Sequence, residues 1–163
     1  MGLASSARAA LRVFRHLGWR RYARAQADLL RAELALRRRP PGDLARAAPA
    51  LPDREGEPLP APADAQTDPD LALARRWARD LWGAARVGPV RSACLARAVA
   101  LRRRLVASGH PEALVRVGVR KQDGELVAHA WVEMGGRPVD PSPGGAEEGA
   151  FTSLEGVRIL DPE

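Results

Sequence analysis

The sequence is poor in cysteine and in long apolar runs, and each shortage excludes a class of protein. The single cysteine, Cys94, excludes an intrachain disulfide and a zinc site built from clustered cysteines, and a lone thiol fits a reducing compartment. No stretch reaches the roughly 18 apolar residues that a membrane span requires. The segment from Met1 to Trp19 is interrupted by arginines, so it has no apolar run long enough for a signal peptide. These shortages predict a cytoplasmic protein without membrane association.

Lysine is also scarce, and the net charge of +6 conceals an alternation of charged blocks. Residues 1–39 contain ten arginines and two acidic residues, whereas residues 40–70 contain two arginines and seven acidic residues. Residues 71–120 contain eleven arginines and two acidic residues, and residues 121–163 contain three basic and nine acidic residues. Only one of the 26 basic residues is lysine, which indicates a codon bias towards arginine. Because no aromatic residues are interleaved with the basic ones, we expect no nucleic-acid partner.

The N-terminal part of the chain separates into a basic helical segment and an acidic, proline-rich one. Residues 1–39 are rich in helix formers and are interrupted by Gly18, so they predict one bent helix or two short ones. We expect this segment to lie on the domain with its charged face outward, although its arginines also fit a membrane surface or an acidic partner. Residues 40–67 predict a linker or an irregular wrap, followed by one domain over residues 68–163.

Two helices are predicted at the start of that domain. Asp68 is the expected N-cap of the first, which covers about residues 70–85, and Pro69 stands at its first helical position. Its expected buried stripe has four-residue spacing: Leu73, Trp77 and Leu81. Ser92 is the expected cap of the second helix, whose first turn contains Cys94. The buried face of that helix is expected to comprise Leu95, Val99, Leu101, Leu105 and Val106, with Ser108-Gly109 as its end.

Beyond residue 110 the apolar period changes from that of a helix to that of a strand. Three strands are predicted with short reversals between them: residues 114–120, 126–134 and 137–140, joined at Asp123-Gly124 and Gly135-Gly136. The sequence therefore predicts an α+β fold, in which the helix that begins near Cys94 packs on a small antiparallel sheet. Residues 151–160 fit either a short helix or an edge strand.

Three residues on these elements have the side chains that a site with a nucleophilic thiol needs. The first turn of a helix stabilises a thiolate through its unpaired N–H groups and its dipole, which would activate Cys94. The same N–H groups could hold a developing oxyanion. His129 lies on the second strand and Asp140 at the end of the third, and with Cys94 they supply the three side chains of a Cys-His-Asp site. Each residue alone has a structural explanation, whereas their combination in this order predicts a catalytic site.

The place of Asp140 depends on the length of the turn before it. If Gly135-Gly136 form a two-residue turn, strand alternation puts Asp140 on the same face as His129 and diagonal to it. A three-residue loop would reverse that parity and leave Glu133 as the carboxylate on the face of His129. Trp82 and Ser92 are candidate donors for an oxyanion, but packing is the favoured interpretation of Trp82 and capping that of Ser92.

The residues around Cys94 and His129 resemble a known family. Residues 94–105, Cys-Leu-Ala-Arg-Ala-Val-Ala-Leu-Arg-Arg-Arg-Leu, look like the cysteine helix of the transglutaminase-like leader peptidases of lasso-peptide biosynthesis. The agreement continues in order over three further pieces: Leu114 to Val119, Ala128-His129-Ala130-Trp131-Val132-Glu133 and Gly136-Arg137. It covers about residues 70–140, and residues 1–66 have no counterpart in it. The resemblance is specific because the cysteine helix and the histidine strand occur together.

The resemblance implies a papain/transglutaminase-like fold and hydrolysis of one peptide bond, which frees the core of a ribosomally made precursor from its leader. Cys94 would be the nucleophile, His129 the general base and then acid, and Asp140 the orienting carboxylate. It implies three partners in the bacterial cytoplasm, namely the precursor peptide, a small leader-recognition protein and a lasso cyclase, and no cofactor or metal. Two other functions fit the residues. One is acyl transfer to an amine or hydrolysis of a small amide, and the other is a non-catalytic scaffold whose Arg-rich helices contact an acidic leader or partner.

Overall fold

Helices and antiparallel strands make up the part of the chain that the computed structural model describes, which comprises residues 17–38, 45–47, 68–122, 125–139, 152–153 and 157–159. The helices are α1 (Trp19–Arg38), α2 (Pro69–Val87) and α3 (Cys94–Val106). The strands are β1 (Ala45–Ala47), β2 (Leu114–Gln122), β3 (Glu125–Met134), β4 (Arg137–Pro138), β5 (Thr152–Ser153) and β6 (Val157–Ile159). One sheet has the order β4-β3-β2-β5, and β1 pairs separately with β6. The predicted α+β class is confirmed.

Helix α1 lies on the domain, as its amphipathic pattern predicts. It begins directly after Gly18, which has a φ of 73°. Three small or apolar side chains on its inner face are completely buried: Ala25, Leu29 and Ala32. At its start, Arg21 donates hydrogen bonds to both carboxylate oxygens of Asp80 on α2, at 2.6 to 3.0 Å. Since Asp80 is buried, this bidentate pair also supplies the charge that its carboxylate needs.

A buried amide on α1 also holds the chain that leads from α2 towards α3. The Gln26 side chain donates to the Ala84 carbonyl at 2.7 Å and accepts the Val90 N–H at 3.0 Å. The chain passes so close to this amide at Gly88 that a Cβ at that position would collide with it. A side chain at position 88 would push the Gln26 amide out of these two hydrogen bonds. Helix α1 therefore fixes the path of the α2–α3 connection.

Helix α2 starts as predicted, with Asp68 as its N-cap. The Asp68 carboxylate accepts the N–H groups of Asp70 at 3.0 Å and Leu71 at 3.2 Å, and it also pairs with Arg137 at 2.8 Å. The hydrogen bond from the Leu71 N–H is the largest cause that lowers the pKa of Asp68. The N-terminus of α2 is thereby tied to the β3–β4 hairpin.

The buried stripe of α2 differs from the prediction. Leu73 and Trp77 are only half-buried, and four other residues at three- and four-residue spacing face the core with Leu81: Leu71, Ala74, Ala78 and Ala84. Small alanine side chains let neighbouring helices approach closely, so the larger apolar residues are displaced to the sides of the contact. On α3, Val99, Leu101 and Leu105 are buried as predicted, whereas Leu95 and Val106 are half-buried. Gly109, with a φ of 95°, ends the turn after α3.

The predicted meander of three strands is confirmed, and its edges carry additional pairing. Gly135 and Gly136 have φ values of 58° and 75°, the left-handed pair that a two-residue hairpin turn requires. Met134 accordingly pairs with Arg137. Residues 152–153 form a strand on the other edge of β2, which decides between the two predictions for that segment. The reversal at Asp123-Gly124 lies outside the described residues.

The sheet packs on α3 through one of its faces, and that contact positions the site. The core on this face combines residues of β2, β3 and the chain after β4: Val115, Ala130, Val132, Met134 and Val139. Helix α3 packs directly on β3. The first turn of α3 therefore lies beside the middle of the histidine-bearing strand.

Candidate active site

Cys94 is the first residue of α3, and the N-cap residue of this helix makes no side-chain hydrogen bond to it. The N-cap is Ala93, in an extended conformation with φ −68° and ψ 170°, so the prediction of Ser92 as the cap was wrong. Ser92 precedes the cap position by one residue, and its buried Oγ has no hydrogen-bond partner among the residues described. Since no cap occupies the first N–H groups of α3, they remain available to the thiol, and the Leu95 N–H is directed at it.

Cys94 and His129 are brought together by the packing of α3 on β3. A hydrogen bond joins the imidazole of His129 to the thiol sulfur, and this contact is the largest cause that lowers the pKa of Cys94. Partial burial opposes the shift because it disfavours the thiolate, whereas the N–H groups of Ala130 and Leu95 act in the same direction as the imidazole. The thiol is therefore poised to ionise below its ordinary range, as a nucleophile requires.

The imidazole of His129 is supported from its own strand. Its ring stacks on Trp131, two residues further along β3, with a centroid distance of 6.2 Å and an interplanar angle of 15°. Trp131 is buried, and its Nε1 donates to one Glu133 oxygen at 3.1 Å. The other Glu133 oxygen accepts from Arg116 Nε at 2.9 Å. Glu133 therefore holds the tryptophan beside the histidine, a positioning role that sequence reasoning did not identify.

The condition on which Asp140 depends is met, whereas Asp140 itself lies outside the described residues. Gly135-Gly136 form the two-residue turn, and Glu133 pairs with Pro138. The alignment continues one step further, since the Val139 N–H donates to the Val132 carbonyl at 2.9 Å. The assignment of Asp140 as the orienting carboxylate stays a prediction.

A pocket opens beside the thiol and imidazole. It comprises about 330 Å³ of space, which includes open solvent, and its lining contains the apolar residues Leu81, Ala98 and Leu101. Trp82 also lines the pocket, and the guanidinium of Arg86 lies 4.5 Å from the centre of a Trp82 ring. The indole of Trp82 carries an N–H group, which can act only as a donor.

Arg97 is a further residue of this pocket that sequence reasoning did not single out as part of the site. It follows Cys94 by one helical turn, and residues three apart lie on the same face of a helix. That spacing is the sequence signal that could have revealed it. In the described residues the arrangement brings a thiol, an imidazole and backbone N–H donors together beside a pocket. Groups of these kinds are those needed to attack a carbonyl group.

Comparison with known families agrees with this geometry. The family model of the transglutaminase-like superfamily matches residues 3–155. The match begins well before residue 67, so the relationship includes the N-terminal residues for which the motifs alone show no counterpart. Searches against curated proteins and against solved structures gave no match. Among the described residues, no helix has the length and apolar character to cross a membrane.

Proposed function

We propose, since this chain belongs to the transglutaminase-like superfamily, that it is a cysteine peptidase which removes the leader from a ribosomally synthesised lasso-peptide precursor. Membership of the superfamily indicates cysteine-peptidase or acyl-transferase chemistry. The observation that carries the proposal is the hydrogen bond between the Cys94 thiol and the His129 imidazole, beside a pocket. The choice of a lasso precursor rests on the resemblance of the cysteine helix and the histidine strand to leader peptidases.

The proposed reaction has two stages. The Cys94 thiolate attacks the carbonyl carbon at the end of the leader, a C–S bond forms, and the carbonyl electrons move to the oxygen. N–H groups of the first turn of α3 and the indole of Trp82 stabilise that oxyanion. His129 then gives a proton to the departing amine as the C–N bond breaks, which leaves a thioester. Water, deprotonated by His129, hydrolyses the thioester and regenerates the thiol, while Asp140 orients the imidazole throughout.

The products explain the partners that belong to this proposal. Cleavage frees the α-amino group of the core peptide, which is the nucleophile that a lasso cyclase needs to close an isopeptide ring. A small leader-recognition protein delivers the precursor, so the peptidase itself contacts mainly the residues around the cleaved bond.

Product masses separate the proposed function from its alternatives. The precursor is incubated with the protein, with and without the recognition protein, in the presence of an added primary amine. A peptidase gives the core and a leader that ends in a free carboxylate, whereas an acyl transferase gives the amine adduct of the leader. Absence of both products, together with a Cys94 that an electrophilic probe does not label near neutral pH, would instead indicate a scaffold.

Replacing Trp82 with phenylalanine should lower kcat by about 10²-fold, because it removes an N–H donor to the oxyanion and keeps the ring. KM should change little, since the donor acts mainly on the transition state. The matched control is Trp77→Phe, which makes the same chemical change on the same helix outside the pocket. Equal losses in the two variants would contradict the role of the Trp82 indole.

Asp140→Asn should lower kcat by about 10²-fold or more, because the amide no longer holds the histidine ring in the orientation and protonation state that catalysis needs. Glu133→Gln is the comparison, since Glu133 contacts Trp131 and Arg116 and has no hydrogen bond to His129 among the described contacts. It should change kcat only a few-fold. A larger loss in Glu133→Gln than in Asp140→Asn would exchange the two assignments.

A further inference from the structure

We propose that a second pocket, between α1 and the C-terminal half of α3, binds an oxyanion group, either a carboxylate or a phosphate. The inference is independent of the proposed function, because the pocket lies at the opposite end of α3 from Cys94. Arg104 follows Cys94 by ten residues, which corresponds to about 15 Å along a helix axis. A ligand here would therefore be distinct from the bond that is cleaved.

Four guanidinium groups line this second pocket: Arg24, Arg31, Arg103 and Arg104. Asp28 is the acidic residue among its lining residues, which also include Ser108. Asp28 pairs with Arg31 at 3.2 Å. Four positive charges against one negative charge leave an excess of three, and the roughly half negative charge of a helix C-terminus offsets only a small part of it.

The buried and incompletely paired guanidinium of Arg104 points to a ligand. Only 8% of its surface is exposed, yet its Nε and Nη1 groups have no hydrogen-bond partner among the described residues. Arg104 forms an ion pair with Asp28, whose Oδ2 lies 3.8 Å from Nη1, a distance too long for a hydrogen bond. The Trp77 ring, 4.6 Å from the guanidinium carbon, covers one face without accepting an N–H bond in the guanidinium plane.

A buried guanidinium normally has its N–H groups paired, since unpaired buried donors are costly. Burial is the largest cause that lowers the pKa of Arg104, and the charge of Arg24 is the next. The negative charge of an anion between these two side chains would offset both effects. Carboxylates and phosphates match the planar fork of an arginine and can accept two of its N–H groups at once.

Binding can be measured on the full chain with inorganic phosphate and, separately, with an acetylated tripeptide of glutamate, at constant ionic strength. At least one of them should bind saturably by titration calorimetry and raise the melting temperature by several degrees at saturation, because a ligand of the folded state stabilises it by mass action. Response to phosphate alone would assign a phosphate group, and response to the peptide alone would assign a carboxylate.

The double variant Arg24→Gln/Arg103→Gln should weaken this binding at least tenfold. Its two positions are exposed or half-exposed, so the fold is retained. Arg37→Gln, on the exposed face of α1 outside the pocket, is the matched control and should bind as the unaltered protein does. The proposal would be overturned if neither anion binds saturably, if the double variant binds as tightly as the unaltered chain, or if Arg37→Gln loses the same affinity.

Discussion

Cys94→Ala should reduce the rate of precursor cleavage by at least about 10⁴-fold, because the attack on the carbonyl has no substitute once the nucleophile is lost. Cys94 is the only cysteine of the chain, so no other thiol can replace it. Its side chain is small and only half-buried, which makes alanine a mild structural change. The loss should therefore appear in single-turnover cleavage rates without a comparable loss of fold.

Two further measurements show whether a loss of cleavage in Cys94→Ala reflects the missing nucleophile. The melting temperature and the circular dichroism of Cys94→Ala should stay close to those of the unaltered protein, which separates lost chemistry from lost structure. Mass spectrometry of the unaltered protein after rapid acid quench should detect the leader attached to the protein as a thioester. Cleavage that continues at the normal rate in Cys94→Ala would refute Cys94 as the nucleophile.

His129→Gln should lower kcat by about 10³-fold or more, and it should also change the titration of the thiol. The imidazole contact is the largest cause that lowers the pKa of Cys94, so its removal should raise that pKa towards the ordinary value. In the unaltered protein the thiolate therefore persists to lower pH than in the variant. The rate of alkylation by iodoacetamide, followed from acid to alkaline pH, measures both midpoints.

His110→Gln provides the control for this experiment. His110 lies after α3, with its Nδ1 3.4 Å from Glu112, and has no contact with the Cys94 pocket. It should leave both the cleavage rate and the alkylation midpoint unchanged. If the midpoint in His129→Gln equals that of the unaltered protein, the thiol and the imidazole do not interact in solution and the assignment of His129 fails.

The sequence was sufficient for features that neighbouring residues determine. Asp68 followed by Pro69 marks the start of α2 because side-chain capping and a fixed φ act within one turn. Gly135-Gly136 predicts the hairpin register because the turn requires two left-handed residues, which glycine adopts without strain. That register aligns β3 and β4 correctly, and it is the basis for the geometric argument about Asp140.

Features that depend on contacts between distant parts of the chain could not be predicted from the sequence. The pairing of β1 with β6 joins segments more than a hundred residues apart, and strands of three residues are too short to show an alternating pattern. The alanine stripe of α2 depends on how closely the helices pack, which apolar periodicity does not report. The predicted start of α3 was wrong by one residue. The extended backbone of Ala93, and not the capping ability of the Ser92 hydroxyl, determines where the helix begins.

The side-chain network around His129 shows the same limit within the site. Strand alternation places His129, Trp131 and Glu133 on one face, and this much follows from the sequence. That Glu133 is engaged by Arg116 and by the Trp131 indole depends on the pairing of β2 with β3 and on rotamers. The sequence therefore identified the Glu133 carboxylate on the face of His129, but it did not identify Arg116 and Trp131 as its hydrogen-bond partners.

The amide of Gln26 makes the N-terminal helix part of the scaffold that positions α3 and Cys94. A fragment that starts at residue 68 would keep every proposed catalytic residue, yet it would strip the partner from the buried Asp80 carboxylate and release the Val90 N–H that Gln26 holds. It would also uncover the alanines of α2 on which α1 packs. Such a fragment should lose activity because the chain that leads from α2 to Cys94 is no longer held in place, although no residue in contact with the sulfur has been changed. Supplying α1 as a separate peptide should restore part of the activity.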